Sequence, residues 1–486
     1  MKFVLLGVYA LALCAIAFSS KSKSKTLNDF FLGGRKTGAW MSAFAYGTTY
    51  FSAVIFVGYA GKFGWNIGLN AVWIGIGNAV VGSYLAWKLL AKRTRTMTHQ
   101  MNVDTMPAFF EARFGSKNMK IFAALIIFVF LVPYSASVYQ GISYLFEQIF
   151  QIPFTYCVLA MAALTAMYLI LGGYLATTLS DFVQGIIMIF GVGLMVFFVL
   201  RAPQVGGLSE GLSRLSQIDP ALTGATTGSN LVTLLSIITL TSLGSWALPQ
   251  MVHKFYAIRD NDAIKKGTVI STGFALFIGV GAYFTAIFGR LFLNNTLPID
   301  PATGVANIDM VVPTMLTTAL PEILLGIIVL LVLSASMSTL SGLTMVSSSA
   351  VTMDLLRGAI CPKMSERTAL RTMRLLCLMF IGASVVIALF KLQAIVTLMS
   401  FSWGTIAGCF LGPFVWGLWD AKTNARGAWG GMILGLAINM GTAVFTGFNG
   451  GLAPLVGCIS MFVSLISVPV LSRLLAPQKQ AAVQQA

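Results

Sequence analysis

Charge is scarce in this sequence. Only 9% of its 486 residues are Asp, Glu, Lys or Arg, whereas a soluble domain carries about 25%. Acid is scarcer than base: 15 Asp and Glu stand against 31 Lys and Arg, a net charge of +16. A basic balance can serve nucleic acid when the cations gather on one face or stripe. Here they sit in short runs between apolar segments, so no nucleic-acid partner is expected. Five of the six cysteines (Cys14, Cys157, Cys377, Cys409, Cys458) lie within apolar runs and Cys361 lies in a basic loop. No spacing among them suits a metal site or a disulfide framework. The two histidines, His99 and His253, form no metal pair. No glycine-rich phosphate loop ends in Lys and Ser/Thr, and no Ser/His/Asp set can be assembled within the apolar runs. ATPase and hydrolase chemistry are therefore not expected. The reading is of a protein that is not an enzyme and needs no organic cofactor.

What the chain has in abundance is apolar length. It is 57% hydrophobic with a mean hydropathy of +0.85. Runs long enough to span a membrane, which takes roughly 20 apolar residues, lie near 2–18, 39–60, 67–91, 117–147, 153–173, 176–200, 229–252, 265–290, 323–354, 371–391, 395–420, 428–447 and 452–475. They are numbered runs 1 to 13 below. The expectation is one all-α integral membrane domain over residues 1–486 in a lipid bilayer, with about 13 transmembrane helices and no separate soluble domain. The longest polar stretch, 201–228, reads as a loop of Gly, Ser and Thr, and 295–322 as a loop with a short surface helix. Run 1 is short enough for a signal peptide, and Ala15 and Ala17 offer a small-residue cleavage pattern. Against that, Lys21, Lys23 and Lys25 follow it, and cleavage would leave them outside.

Basic residues concentrate in cytoplasmic loops. With the N-terminus outside, 24 of the 31 Lys and Arg fall in or beside the alternate loops that then face the cytoplasm. Six fall outside, and Lys88 near the end of run 3 snorkels to the interface. The expected location is the cell membrane, multi-pass, with a cytoplasmic C-terminus.

The polar residues inside the runs carry the functional information. Run 2 contains Gly47-Thr48-Thr49-Tyr50-Phe51-Ser52, too polar and irregular for a plain lipid-facing span. Run 7 contains Thr241, Ser242, Gly244, Ser245, Trp246 and then Pro249. Secondary transporters carry interrupted helices at corresponding positions of two inverted repeats, with substrate between them. Runs 2–6 (39–200) and 7–11 (229–420) would be those repeats, with 1–38 before them and 421–486 after. The alternative for these small residues is close helix packing. In run 9, Ser334, Ser338 and Ser341 share a face, and Ser338 adjoins Thr339. A dehydrated hard cation wants oxygens of this kind. Asp181 near the start of run 6 reads either as a functional intramembrane acid or as a helix N-terminal charge. Gly404, Gly408 and Gly412, followed by Pro413, read as a packing seam. A channel remains an alternative, although nothing repeats like a selectivity filter.

On these same residues the chain resembles the sodium:solute symporter family. The motifs are FFLGGRKTGAW, TTYFSAVIFVG, GGYLATTLSDFVQG, LPQMVHKFYA and LSASMSTLSG. The resemblance implies a LeuT-like five-plus-five inverted repeat, with one extra helix before and two after. It implies sodium as the coupling ion, held by backbone carbonyls of Thr48, Phe51 and Ala335 and by hydroxyls of Ser338 and Thr339. A second sodium site of some members would use Asp181 and Ser341, but Gly342 stands where a third serine would be. Proline carriers have an aspartate at Tyr50 and a tryptophan at Thr241, and the TYxSA pattern is more like pantothenate and monocarboxylate carriers. The expected substrate-lining residues are Tyr50, Ser52, Tyr134, Thr241, Ser245 and Trp246. The function expected is sodium-coupled import of a small organic solute by alternating access: a monocarboxylate, a pantothenate-like compound or an amino acid such as proline. The protomer is expected to act alone. The alternative is an uncoupled channel or a membrane sensor of the same fold. Family sensors append a cytoplasmic signalling domain, and here APQKQAAVQQA follows run 13.

Overall fold

The computed structural model describes residues 2–21, 31, 35–301 and 303–475. Among them there is no β-strand, only the isolated bridges Thr37↔Ile258 and Ile299↔Ala306. Among the described residues ten helices are long and apolar enough to cross a membrane. Run 1 (Lys2–Ile16) and run 5 (Phe154–Ile170) appear as shorter apolar helices. Run 2 begins with the short helix Ala39–Tyr50. The backbone stays helical over Phe154–Arg201, and the apolar stretches on either side of 171–175, where the turn between runs 5 and 6 is expected, are Phe154–Ile170 and Ala176–Arg201. Helix also replaces loop at Leu208–Ile218, where Gly211 and Leu215 are buried. A helix does lie within 295–322, at Val311–Ala319, but Val311, Val312, Pro313, Met315 and Leu316 are buried, so it packs into the bundle and is not a surface helix.

Loops sort into two rims, and contacts between distant loops join members of the same rim. On one, the Arg35 guanidinium donates to Val103 O (2.7 Å), that of Arg95 to Ile258 O (2.9 Å) and that of Arg113 to Gly417 O (2.9 Å). On the other, Lys2 donates to Ile149 O (2.9 Å), Arg290 to Trp65 O (2.7 Å), and Lys391 pairs with Asp300 (2.9 Å). The rims are those the charge alternation assigns to opposite sides. Side chains cap helix starts on the first rim: Thr105, Ser116, Asp260, Ser365 and Asn424 each accept a first-turn N–H. A polar cap satisfies an orphan donor.

The glycines of run 11 (Ile395–Trp419) do form a seam. Gly404 lies against Gly457, Gly408 against Ser460 and Gly412 against Ser464, all in run 13 (Ala453–Leu474). Ser460 Oγ donates to Gly404 O (3.1 Å), and Gly412 N–H donates to Ser464 Oγ (3.2 Å). Small residues let the backbones approach closely enough for these bonds.

Candidate functional site

Run 2 breaks where its polar stretch lies. Helix Ala39–Tyr50 ends at Phe51, whose backbone is extended (φ −101°, ψ 118°). The chain turns helical again at Ala53. Ser52 accepts the N–H of Val54 on its hydroxyl (3.2 Å) and that of Ile55 on its carbonyl (2.9 Å). It is therefore a buried local cap for the second half. Ala53 N–H donates instead to Ser336 Oγ of run 9 (3.1 Å). Local side-chain bonds of this kind compete with the helix ladder. Carbonyls at the end of the first half are left for other partners.

Run 9 (Glu322–Ser349) supplies those partners. Thr339 Oγ1 lies 3.0 Å from Thr49 O and 3.1 Å from Ala335 O. Ser338 Oγ donates to Thr48 Oγ1 (2.9 Å) and lies 3.4 Å from Thr49 Oγ1. The hydroxyl pair thus faces the break of run 2, and all five residues are buried. Oxygens from two helices converge, with no sulfur or nitrogen among the contacts just given. Thr49 contributes the backbone oxygen nearest Thr339, one residue along from the expected Thr48, while Phe51 sits at the break itself.

Ser341 and Asp181 are not brought together by any bond. Ser341 Oγ donates to Ser338 O within its own helix (2.9 Å). Asp181 lies mid-helix in Phe154–Arg201, so it is not an N-terminal charge. Its Oδ2 pairs with Lys254 Nζ at 3.1 Å, and both side chains are buried. Lys254 belongs to the second half of run 7, 73 residues away.

Run 7 breaks in the same manner. Helix Gly228–Ser242 passes through a 3-10 turn at Gly244–Ala247, Leu248 is extended, and Pro249 opens Pro249–Tyr256. Proline suits the first helical position because it has no N–H to leave unpaired. The two breaks face each other: Tyr50 Oη donates to Thr241 O (2.7 Å). Ser245 Oγ donates to Ser242 O (2.7 Å). The Trp246 indole donates to Val81 O of run 3 (2.9 Å), which makes it a brace between helices. Tyr134 meets Tyr50 through Trp403: Tyr50 stacks on the indole (6.3 Å, 18°) and Tyr134 meets it edge-on (5.6 Å, 90°). Tyr50 fits only because residue 82 is glycine, since a Cβ there would collide with its hydroxyl.

Sequence reasoning missed Ser336, Trp403 and Asn78. Asn78 opens a π-helical stretch, Asn78–Leu85, in run 3. Its Oδ1 lies 2.8 Å from Thr241 Oγ1 and 3.0 Å from Ser242 Oγ. Asn78 Nδ2 and Trp403 Nε1 are buried with no hydrogen-bond partner among the described residues. An uncompensated amide in an apolar run is the signal that could have found Asn78.

A profile of the sodium:solute symporter family matches residues 30–435. The osmoregulated proline transporter OpuE of Bacillus subtilis is 29% identical over 455 residues, covering 91% of this chain and 89% of the relative. The sodium/proline symporter of Haemophilus influenzae is 30% identical over 444 residues, covering 88% and 85%. Among solved structures, a sodium-coupled sialic acid symporter in a substrate-bound outward-open state superposes with a TM-score of 0.79 at 17% identity, covering 98% of each chain. The nucleobase-cation-symport-1 transporter Mhp1, in a closed conformation, superposes with a TM-score of 0.54 at 11% identity, covering 92% and 95%. The profile spans far more than half of the chain: the chain belongs to the sodium:solute symporter family.

Proposed function

We propose that this symporter imports a small carboxylate-bearing solute, with proline the first candidate, together with one sodium ion. The observation that carries the reading is the meeting of two broken helices across the Tyr50–Thr241 bond. A broken helix can hold a carboxylate on backbone N–H groups without any particular side chain; those at the run 2 break are taken by Ser52 and Ser336, which leaves the break of run 7 for that role. The relatives named above are proline carriers by name, which supports proline as the first candidate ahead of pantothenate and other monocarboxylates.

The ion sits between run 2 and run 9 on oxygens of Thr48, Phe51, Ala335, Ser338 and Thr339, with Thr49 O close by. Solute lies among Tyr50, Ser52, Tyr134, Thr241 and Ser245, with Asn78 and Trp403 supplying the spare donors and Trp246 bracing run 7. Sodium shifts the conformational equilibrium by its differential affinity for a state in which run 2 is held against run 9. Coupling is reciprocal, so each ligand tightens the other. The Lys254 ammonium lies where a second sodium would need the Asp181 carboxylate, and this supports a stoichiometry of one. Thirteen spans, an external N-terminus and a self-sufficient protomer complete the reading.

The test is thermal stability of the purified protein in sodium and in potassium, with proline, other amino acids, pantothenate, pyruvate, lactate, sialic acid, glucose and galactose. A ligand at 100 times its Kd stabilises by about 2.7 kcal/mol. Proline should stabilise in sodium far more than in potassium. Stabilisation by a sugar alone would overturn the solute class, and equal stabilisation in both salts would overturn coupling.

A further inference from the structure

A crevice of about 400 Å³ opens between runs 4, 10, 11, 12 and 13. No residue of runs 2, 3, 7 or 8 lines it, so it is separate from the solute site. Leu398, Phe401, Ala443, Phe448 and Val456 form its walls and Pro133 its floor. Its volume lies in the range of about 300–1,000 Å³ usual for ligand sites. We propose that it holds one acyl chain of a phospholipid from the outer leaflet.

Three observations select that occupant. The crevice lies at the outer ends of its helices, and around it stand bare apolar side chains: Phe445 is 92% exposed, Phe390 71% and Leu392 62%. Such a belt on a membrane-spanning bundle faces lipid, so the crevice continues the lipid-facing surface inward. Two of its polar wall groups are engaged elsewhere: Asn439 Nδ2 donates to Ser460 Oγ (2.6 Å) and Thr446 Oγ1 to Thr442 O (2.8 Å). No charged residue lines the crevice to meet a charged solute, whereas an acyl chain needs no polar partner.

The site also touches machinery. Phe401 packs on Phe130 of run 4 (5.8 Å) and on Phe448 (5.7 Å). The neighbouring Ser402 donates to Phe130 O, and Pro133 adjoins Tyr134, which meets Trp403. An acyl chain seated there wedges the junction of runs 4 and 11 just behind the Tyr134–Trp403 contact. The side assigned to the crevice rests on the proposed orientation; occupancy by lipid does not rest on the transport reading.

The experiment is native mass spectrometry of the full chain after detergent exchange, with palmitoyl-oleoyl phosphatidylglycerol as the probe. Wild type should retain one phospholipid. Ala443→Trp and Val456→Trp, each partly exposed on the crevice wall, should lower that occupancy at least tenfold while keeping a cooperative thermal transition. Two positions keep the test decisive if one variant fails to fold. In liposomes, the folded variants should change the maximal uptake rate and leave the half-saturating sodium concentration alone. Equal lipid retention by wild type and variants would overturn the proposal, as would displacement of the lipid by proline. Loss of lipid from the variants with no transport in any protein would uphold the site and count against the function instead.

Discussion

Removing the hydroxyls of Ser338 and Thr339 together is the sharpest test of the ion site. These groups bond run 2 directly, Thr339 to Thr49 O at 3.0 Å and Ser338 to Thr48 Oγ1 at 2.9 Å. When sodium binds, the same oxygens turn their lone pairs to it. A buried hydrogen bond to a charged group contributes about 1.5–3 kcal/mol, and two comparable ion contacts contribute about 3–6 kcal/mol. The double alanine variant also loses its sodium-free bonds to run 2, about 1 kcal/mol each, which offsets part of that. A net loss of about 3 kcal/mol raises the half-saturating sodium concentration roughly 100-fold, at 1.4 kcal/mol per decade. The assay is uptake of labelled proline into proteoliposomes over a sodium series at constant ionic strength, corrected for inserted protein. Ser341→Ala is the control, because that hydroxyl bonds only Ser338 O in its own helix. It should move sodium dependence by no more than about threefold, under 1 kcal/mol. A double variant that inserts normally and keeps wild-type sodium dependence would refute the assignment of run 9 as the sodium helix.

Three further outcomes are expected. Lys254→Gln strands the Asp181 carboxylate; breaking a buried pair costs about 3–5 kcal/mol, and sodium should restore more of that stability than potassium. Equal losses in both salts would count against the idea that the ammonium stands in for an ion. Cys361 is exposed while the other five cysteines are buried or half-buried, so a membrane-impermeant maleimide should label it only after cells are permeabilised; labelling of intact cells would reverse the orientation. Asp309, in the loop before run 9, is buried and accepts Ile395 N–H at 3.0 Å, capping run 11. Burial pushes its carboxyl up to about 6, against the pull of that bond and of Lys62. Its folded pKa exceeds its unfolded value of about 3.9, so the native state holds a proton that the unfolded chain has lost between those pH values. Stability therefore falls by up to about 3 kcal/mol as pH rises from 4 to 6, and thermal unfolding of Asp309→Asn should lose that slope. An unchanged slope would place the titration elsewhere.

The parts of this molecule that sequence makes legible are those where chemistry and local geometry coincide. Thr48 to Ser52 and Gly244 to Pro249 weaken the helix at their own positions, so the breaks could be placed before any packing was known. The run 11 seam is legible for the same reason, because only small residues let two backbones touch. What stayed hidden depends on contacts distant in sequence. Lys254 looks like one more basic residue after a transmembrane run until Asp181, 73 residues earlier, is found at 3.1 Å. Ser336 falls between the serines that share a face, yet it holds Ala53 N–H across the break. Trp403 reads as packing in an apolar helix, and only the fold puts it between Tyr50 and Tyr134. Leu208–Ile218 is helical although its composition is that of a loop, because Gly211 and Leu215 pack beneath it.

Those hidden contacts share a direction. Run 9 bonds the break of run 2 through Ser336, Ser338 and Thr339. Run 2 bonds the break of run 7 through Tyr50. The second half of run 7 bonds run 6 through Lys254. Each link ends on a broken helix, and in the proposed site the Tyr50 hydroxyl is one path by which a change at the ion oxygens reaches the solute side. A break without cross-links would leave polar backbone unpaired in a medium without water, at several kcal/mol for each group. The cross-links that relieve this cost are, in the proposed site, the same bonds through which solute would feel sodium binding. On that proposal, the requirement to satisfy a broken backbone inside a membrane and the requirement to couple two ligands are met by one set of side chains.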